Sequence, residues 1–82
     1  MAKSLHTEAW GTFLETLVEA RNEARLTQIE LGNRIGRTQS FVSKVERGER
    51  RLDVLEYCEW IFALEGSPSA CLKSIEATLA RK

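Results

Sequence analysis

Residues 26–51 read LTQIELGNRIGRTQSFVSKVERGERR, and this stretch predicts two short helices with a glycine between them. Thr27 is followed three residues later by Glu30, which is the spacing of a capping box. In that motif the hydroxyl accepts a hydrogen bond from a free backbone N–H, and the carboxylate accepts one from the capping residue. A helix is therefore predicted over about 28–35. It should end at Gly36, because glycine adopts the left-handed conformation at little cost.

The second helix of the stretch begins after Thr38, which can serve as its N-cap. Val42 and Val45 supply an apolar side, so the helix is predicted over about 39–46, with Gly48 as its stop. Two short helices joined by a tight glycine turn cross steeply, which is the helix-turn-helix arrangement. Small helical bundles that do not bind DNA also contain such corners, so the turn alone does not indicate a function.

The flanking sequence predicts three further helices and no strand. Thr7 can cap the first of them, Asp53 and Glu56 form a second capping box, and Pro68 suits the first turn of the last. These helices are predicted over about 8–24, 54–64 and 68–80. The expected fold is thus an all-α bundle of five short helices. Apolar residues at helical spacing on the first four helices are its candidate core: Ala9, Trp10, Phe13, Leu14, Leu17, Val18, Ala20, Ile29, Leu31, Ile35, Val42, Val45, Val54, Leu55, Cys58, Ile61, Phe62 and Leu64. The last helix has an apolar side formed by Cys71, Leu72, Ile75 and Leu79.

Charge is distributed unevenly along the 82 residues, although the chain has no net charge. Residues 25–51 contain seven basic and three acidic residues, a balance of +4, whereas residues 1–24 and 52–82 each carry −2. A phosphate backbone responds to the local field rather than to the total charge. The neutral total charge therefore does not argue against nucleic-acid binding. The length of the chain predicts a single domain.

Residue types that support catalysis or metal binding are scarce. The only histidine is His6, and Cys58 and Cys71 lack the spacing of a zinc site or a disulfide framework. The sequence also has no glycine-rich phosphate loop. We therefore expect no enzymatic activity, no metal and no cofactor. With neither a signal peptide nor a long apolar run, the chain is expected to be soluble and cytoplasmic, without a membrane partner or an evident small-molecule ligand.

The helix predicted over 39–46 has an unusual outward face. An ordinary solvated face favours Glu–Lys pairs at i,i+4, whereas this face carries hydroxyl, amide and cationic groups. Glutamine can pair with adenine, lysine or arginine can donate to guanine, serine is permissive, and an exposed phenylalanine can contact a thymine methyl. Phe41 lies near the boundary of the face, and the outward residues are Gln39, Ser40, Ser43, Lys44 and Arg47.

Residues 26–64 contain five short motifs in order: Leu26-Thr27-Gln28, Glu30-Leu31-Gly32, Gly36, Val42-Ser43-Lys44 and Glu46-Arg47-Gly48. These motifs closely resemble the Cro and phage-repressor type helix-turn-helix family, also called the XRE family. The sequence departs from the family pattern at Arg25, where glycine is frequent, and at Gly32, where alanine is usual. The resemblance implies a lambda-repressor-like bundle that forms a single DNA-binding domain over residues 1–82.

The resemblance also implies roles for individual residues. The helix over 39–46 would lie in the major groove, where the base-reading residues are Gln39, Ser40, Phe41, Ser43 and Lys44. The residues expected to bind phosphates are Gln28, Arg37, Arg47, Arg50 and Arg51. A structural ion pair is expected between Arg21 and Glu46.

A sequence-specific transcriptional regulator, specifically a repressor of prokaryotic or phage type, is the function that the resemblance implies. Such a protein binds double-stranded DNA as a homodimer on a near-palindromic operator. Leu72, Ile75 and Leu79 form an apolar stripe that is the candidate dimer interface, or that covers the core of the monomer itself. The alternative function is a protein–protein interaction module or an antitoxin-like partner that retains the fold with weak or no DNA binding.

Overall fold

The computed structural model describes the backbone of residues 2–81 and the side chains of residues 8–81. Within this range there are helices and no strand, which confirms the all-helical prediction. The helices are α1 (Ala2–Glu23), α2 (Gln28–Ile35), α3 (Gln39–Glu46), α4 (Val54–Ala63), α5 (Pro68–Cys71) and α6 (Lys73–Ala80).

The two helices of the central stretch begin as the sequence predicts. Thr27 Oγ1 accepts from the Glu30 N–H at 3.0 Å, and Glu30 Oε1 accepts from the Thr27 N–H at 2.8 Å, which confirms the capping box. Thr38 Oγ1 accepts from the Phe41 N–H at 3.1 Å and caps α3. Local hydrogen bonds of the N-cap residues therefore set the start of both helices.

The turn between α2 and α3 depends on two glycines. Gly36 has φ of +71°, the left-handed conformation that ends α2. Gly32 lies so close to the turn that a Cβ at this position would be 2.8 Å from the carbonyl oxygen of Arg37. The missing side chain lets α2 and the turn approach closely, and the two helices meet at a tight corner.

The core lies among α1, α2, α3 and α4, and Trp60 on α4 is completely buried within it. Val42 and Val45 are also fully buried, so α3 is fixed with its opposite face outward. Burial of each large apolar side chain contributes about 1.5–3 kcal/mol. The buried cluster consists of Leu17, Leu31, Val42, Val45, Tyr57, Trp60 and Ile61.

Four residues predicted to lie in the core are exposed, and these predictions were wrong. The exposed fraction is 75% for Val54, 73% for Leu55, 64% for Phe62 and 59% for Ile29. Leu55 and Phe62 share the face of α4 opposite its buried residues, and Val54 lies in the first turn of that helix, beyond the core. Ile29 is about 200° around α2 from the buried Leu31. Apolar character alone did not identify the inward face.

The ends of the chain also differ from the sequence-based boundaries. α1 begins at Ala2, so Thr7 lies inside the helix and the prediction that it caps α1 was wrong. The helix predicted over 68–80 is interrupted at Leu72, which separates α5 from α6. α6 packs against α1, where Thr16 Oγ1 lies 3.3 Å from Ser74 Oγ.

Candidate nucleic-acid interface

The outward face of α3 is accessible. Gln39, Ser40 and Lys44 are exposed, whereas Ser43 and Phe41 are half-buried. All five lie on a helix whose other side is held in the core. The side chains predicted to read bases therefore lie on one short helix, and none of them is hidden inside the molecule.

A chain of hydrogen bonds connects the core to the first residue of α3. Arg21 Nε donates to Glu46 Oε2 at 2.7 Å, and these two side chains are only 13% and 6% exposed. Gln28 Nε2 donates to Glu46 Oε1 at 2.8 Å, and Gln39 Nε2 donates to Gln28 Oε1 at 2.8 Å. We call Arg21, Glu46, Gln28 and Gln39 the glutamine relay. Glu46 is fully engaged within this relay and is not a free acid on the outward face.

The glutamine relay fixes the orientation of the Gln39 side chain. Because Gln28 donates through Nε2 and accepts through Oε1, both ends of its amide are defined by their partners. The Gln39 amide in turn uses one Nε2 hydrogen on Gln28. The other Nε2 hydrogen and Oε1 remain for a ligand, and together they form a donor–acceptor pair.

A second polar cluster lies at the other side of α3. Arg37 Nη2 donates to Glu56 Oε2 at 2.9 Å, and Arg50 Nη1 and Nη2 donate to the two carboxylate oxygens of Glu56 at 2.9 and 3.0 Å. Both guanidinium groups also lie over the ring of Phe41, at 4.3 and 5.0 Å from its centroid. We call Arg37, Phe41, Arg50 and Glu56 the arginine cluster. The hydrogen bonds from Arg50 and from the Asp53 N–H lower the pKa of Glu56 to about 2.

The two remaining arginines of the loop after α3 have different surroundings. Arg47 pairs with Glu49 through two contacts of 3.1 Å, and this pairing lowers the pKa of Glu49. Arg51 lies over the ring of Trp10, 4.5 Å from its centroid. Among the side chains that the structure describes, neither Arg51 nor Lys44 forms an ion pair. Among the DNA-contact candidates of the described side chains, these two cations are therefore not neutralised by a carboxylate.

Sequence reasoning missed the acidic partners of the phosphate-binding candidates. Glu56 was recognised only as part of a capping box, which the structure confirms through Asp53. Its contacts with Arg37 and Arg50 arise from the packing of α4 beside the helix-turn-helix corner. Glu49 is two residues from Arg47, and that proximity in sequence was the available signal for their pairing.

The apolar stripe at the C-terminal end is partly exposed. Leu72 and Leu79 are 42% and 51% exposed, and Ile75 is half-buried between them. These residues line a shallow groove on α6. Leu72 also borders a second apolar groove with Phe13 and Val54. The stripe therefore continues onto the first turn of α4.

The described residues contain no group of histidine, cysteine and acidic side chains that could hold a metal ion. No helix among them is long and apolar enough to cross a membrane.

Comparison with known proteins identifies the family. The helix-turn-helix family model matches residues 17–56, which contain α2 and α3. A solved structure, the XRE-family like protein from Pseudomonas syringae pv. tomato str. DC3000, is similar with a TM-score of 0.87 and 45% sequence identity over 93% of each chain. No curated protein matches the chain. The identity and coverage confirm the resemblance seen in the sequence, and the chain belongs to the XRE family of helix-turn-helix proteins, a family of DNA-binding transcription regulators.

Proposed function

We propose that the chain is a sequence-specific repressor that binds duplex DNA as a homodimer, with α3 in the major groove of each half-site. The observation that carries this proposal is the accessible polar face of α3, with Gln39 oriented by the glutamine relay. The major groove is wide enough for one helix, and each base pair presents a distinct pattern of donors and acceptors there.

Gln39 is the proposed reader of adenine. After its bond to Gln28 it retains one Nε2 hydrogen and Oε1. Adenine offers an acceptor at N7 and a donor at N6, which matches this pair. The glutamine relay reduces the ordering that base binding requires, because the amide already has a defined orientation before DNA is present.

The neighbouring side chains of α3 complete the proposed reading surface. Lys44 is exposed and free of ion pairs among the described side chains, so it can donate to guanine. Ser40 and Ser43 can donate or accept. Phe41 is half-buried beneath two guanidinium groups, so only the exposed part of its ring is proposed to contact a thymine methyl.

Backbone contacts are proposed for residues on both sides of α3. Gln28 lies at the N-terminus of α2, where free N–H groups and the helix dipole favour a phosphate. Cations of the turn and of the following loop would bind neighbouring phosphates. They are Arg37, Arg47, Arg50 and Arg51.

Dimerisation is proposed through the exposed stripe of Leu72, Ile75 and Leu79. A single recognition helix reads few base pairs, and dimers of this class bind half-sites that are about 34 Å apart. Sedimentation of the protein with and without a selected operator tests this proposal. A monomer at high micromolar concentration in both samples would contradict it.

Selection of bound sites from random duplexes tests the base-reading proposal. The wild-type protein should enrich a near-palindromic sequence, and Lys44→Ala should relax the preference at a position of each half-site. The matched control is Lys73→Ala, which removes the same charge from an exposed position on α6. Equal loss of preference in both variants would contradict the assignment of α3 as the reading helix.

One observation favours a second candidate, an antitoxin-like interaction module with weak DNA binding. Three of the phosphate-binding candidates, Arg37, Arg47 and Arg50, are paired with carboxylates in the free protein. The salt dependence of binding separates the two functions, since log K falls steeply with log salt when several phosphates are bound. Flat dependence, or no binding in dilute salt, would favour the interaction module.

A further inference from the structure

Glu56 lies beneath two of the arginines proposed to bind phosphates. Its side chain is 14% exposed, whereas Arg37 and Arg50 are 39% and 41% exposed. Four N–H groups donate to its carboxylate, one from the Asp53 backbone, two from Arg50 and one from Arg37. A phosphate that approaches this surface meets the guanidinium groups first and the carboxylate directly behind them.

The contacts of Glu56 restrict the two arginines to different degrees. A guanidinium group has five N–H donors. Arg50 uses two on Glu56 and one on the carbonyl of Arg51, whereas Arg37 uses one on Glu56. The ring of Phe41 limits both groups on a further side. Both guanidinium groups therefore retain N–H donors for phosphates, but Glu56 and the Phe41 ring fix where those donors lie.

The arginine cluster also carries a net charge of +1 rather than +2, because Glu56 is ionised at neutral pH. Attraction to the phosphate backbone is a sequence-independent term and increases with the number of cations that are free to follow the strands. A fixed and partly neutralised pair of arginines gains less from this term than a mobile pair.

Fixed arginines affect operator and random DNA differently. When α3 is docked on its operator, the register on the duplex is set, and preorganised donors meet phosphates with little further ordering. On random DNA no single register is favoured, and mobile arginines could follow phosphates in many registers. Restraint therefore reduces binding to random DNA more than binding to the operator.

We propose that Glu56 is a specificity-determining residue, which acts by holding Arg37 and Arg50 against Phe41 and so weakens binding to duplexes of unrelated sequence. This inference rests on the proposed function. It assigns Glu56 no contact with DNA, so its effect passes through the two arginines.

The test is Glu56→Gln, measured on a selected operator and on a random duplex over a series of salt concentrations. The glutamine Oε1 can still accept from the Asp53 N–H and retain the helix cap, whereas the negative charge is removed. We expect binding to the random duplex to tighten by about threefold. This is about the factor by which a single phosphate contact changes the affinity when the salt concentration changes fourfold. Operator binding should change by less, so the ratio of the two affinities should fall.

The matched control is Glu49→Gln, which removes the same charge from the exposed pair with Arg47. Both partners of that pair are more than half exposed, and no described ring lies against Arg47, so the pair restrains the arginine only weakly. We therefore expect both affinities to rise together and their ratio to stay constant. An equal fall of the ratio in both variants would overturn the proposal, since it would indicate bulk charge rather than restraint.

Arg50→Lys provides a second test that does not alter Glu56. Lysine retains the charge but cannot form the two-pronged pair with the carboxylate. The ratio of affinities should fall here too, and an unchanged or higher ratio in the folded variant would overturn the proposal. Circular dichroism establishes that each variant is folded.

The wild-type measurement separates failure of this inference from failure of the proposed function. If the wild-type protein does not prefer its selected operator to the random duplex, the proposed function fails, and this inference with it. If the preference exists and either Glu56→Gln or Arg50→Lys fails to reduce it, only the inference fails.

Discussion

The glutamine relay and the arginine cluster both contain a glutamate that pairs with arginine, but their surroundings differ. The Arg21–Glu46 pair is 13% and 6% exposed, whereas the arginines around Glu56 are about 40% exposed. A buried pair is costly to break because the remaining charge is left without water. An exposed pair contributes little to stability, and the role proposed for Glu56 is to restrain cations that bind phosphates. The exposure of the arginine partners therefore separates a glutamate that supports the fold from one proposed to adjust binding.

The largest effect is expected from Arg21→Ala, which leaves Glu46 buried with Gln28 as its remaining side-chain donor. We expect a loss of about 3–5 kcal/mol in the free energy of unfolding, measured by urea denaturation. The control is Glu49→Ala, which breaks an exposed pair and should change the free energy of unfolding far less. Similar losses in the two variants would remove the distinction between the two clusters.

A smaller effect, confined to DNA binding, is expected from Gln39→Ala at the exposed end of the glutamine relay. Operator binding should weaken by about 1–3 kcal/mol, and the preference at one base position should relax. Binding to random duplexes should change little, since the lost contact is to a base. Site selection with the variant measures both quantities, and a uniform loss on all sequences would contradict the role of Gln39 as a reader.

Arg51→Ala should have the opposite pattern, because Arg51 is a cation without a carboxylate partner among the described side chains. We expect binding to operator and random duplexes to weaken about equally, with the slope of log K against log salt reduced by about one. The matched control is Arg34→Ala, whose guanidinium donates to the carbonyl of Ala63 and which is not among the proposed DNA contacts. A selective loss on the operator alone would contradict phosphate binding by Arg51.

Local sequence predicted the features that local hydrogen bonds determine. The start of α2 is set by Thr27 with Glu30, its end by Gly36, and the start of α3 by Thr38. Each of these residues acts within one turn of the helix that it begins or ends. The family resemblance likewise depends on short motifs in order, and it gave the correct fold.

Features that arise from packing between helices could not be read from the sequence. Leu55 and Phe62 are apolar, yet they lie on the outer face of α4, and only the position of Trp60 in the core determines that orientation. A glutamate stands at this position of a capping box whether or not it also contacts arginines. The second role of Glu56 depends on where α4 places it relative to Arg37 and Arg50, which lie outside that helix.

The smallest expected effect is a difference in the pH dependence of stability between the wild-type protein and Glu56→Gln. The pKa of Glu56 is lowered from 4.5 to about 2 in the folded protein, chiefly by its hydrogen bonds with Arg50. A carboxylate with a lowered pKa stabilises the folded state fully above its unfolded value, and this contribution is lost as pH falls toward the folded value. Between about pH 4.5 and pH 2 the melting temperature of the wild-type protein should therefore fall more than that of the variant.

Other carboxylates titrate in the same interval, so the difference between the two melting curves, rather than either curve alone, reports on Glu56. Above pH 4.5 the difference should be constant, and it should shrink as pH approaches 2. Parallel curves throughout would mean that Arg37 and Arg50 do not hold the carboxylate in solution. In that case Glu56 could not restrain the two arginines, and the contrast between Glu46 and Glu56 would reduce to a difference in the exposure of their arginine partners without a difference in role.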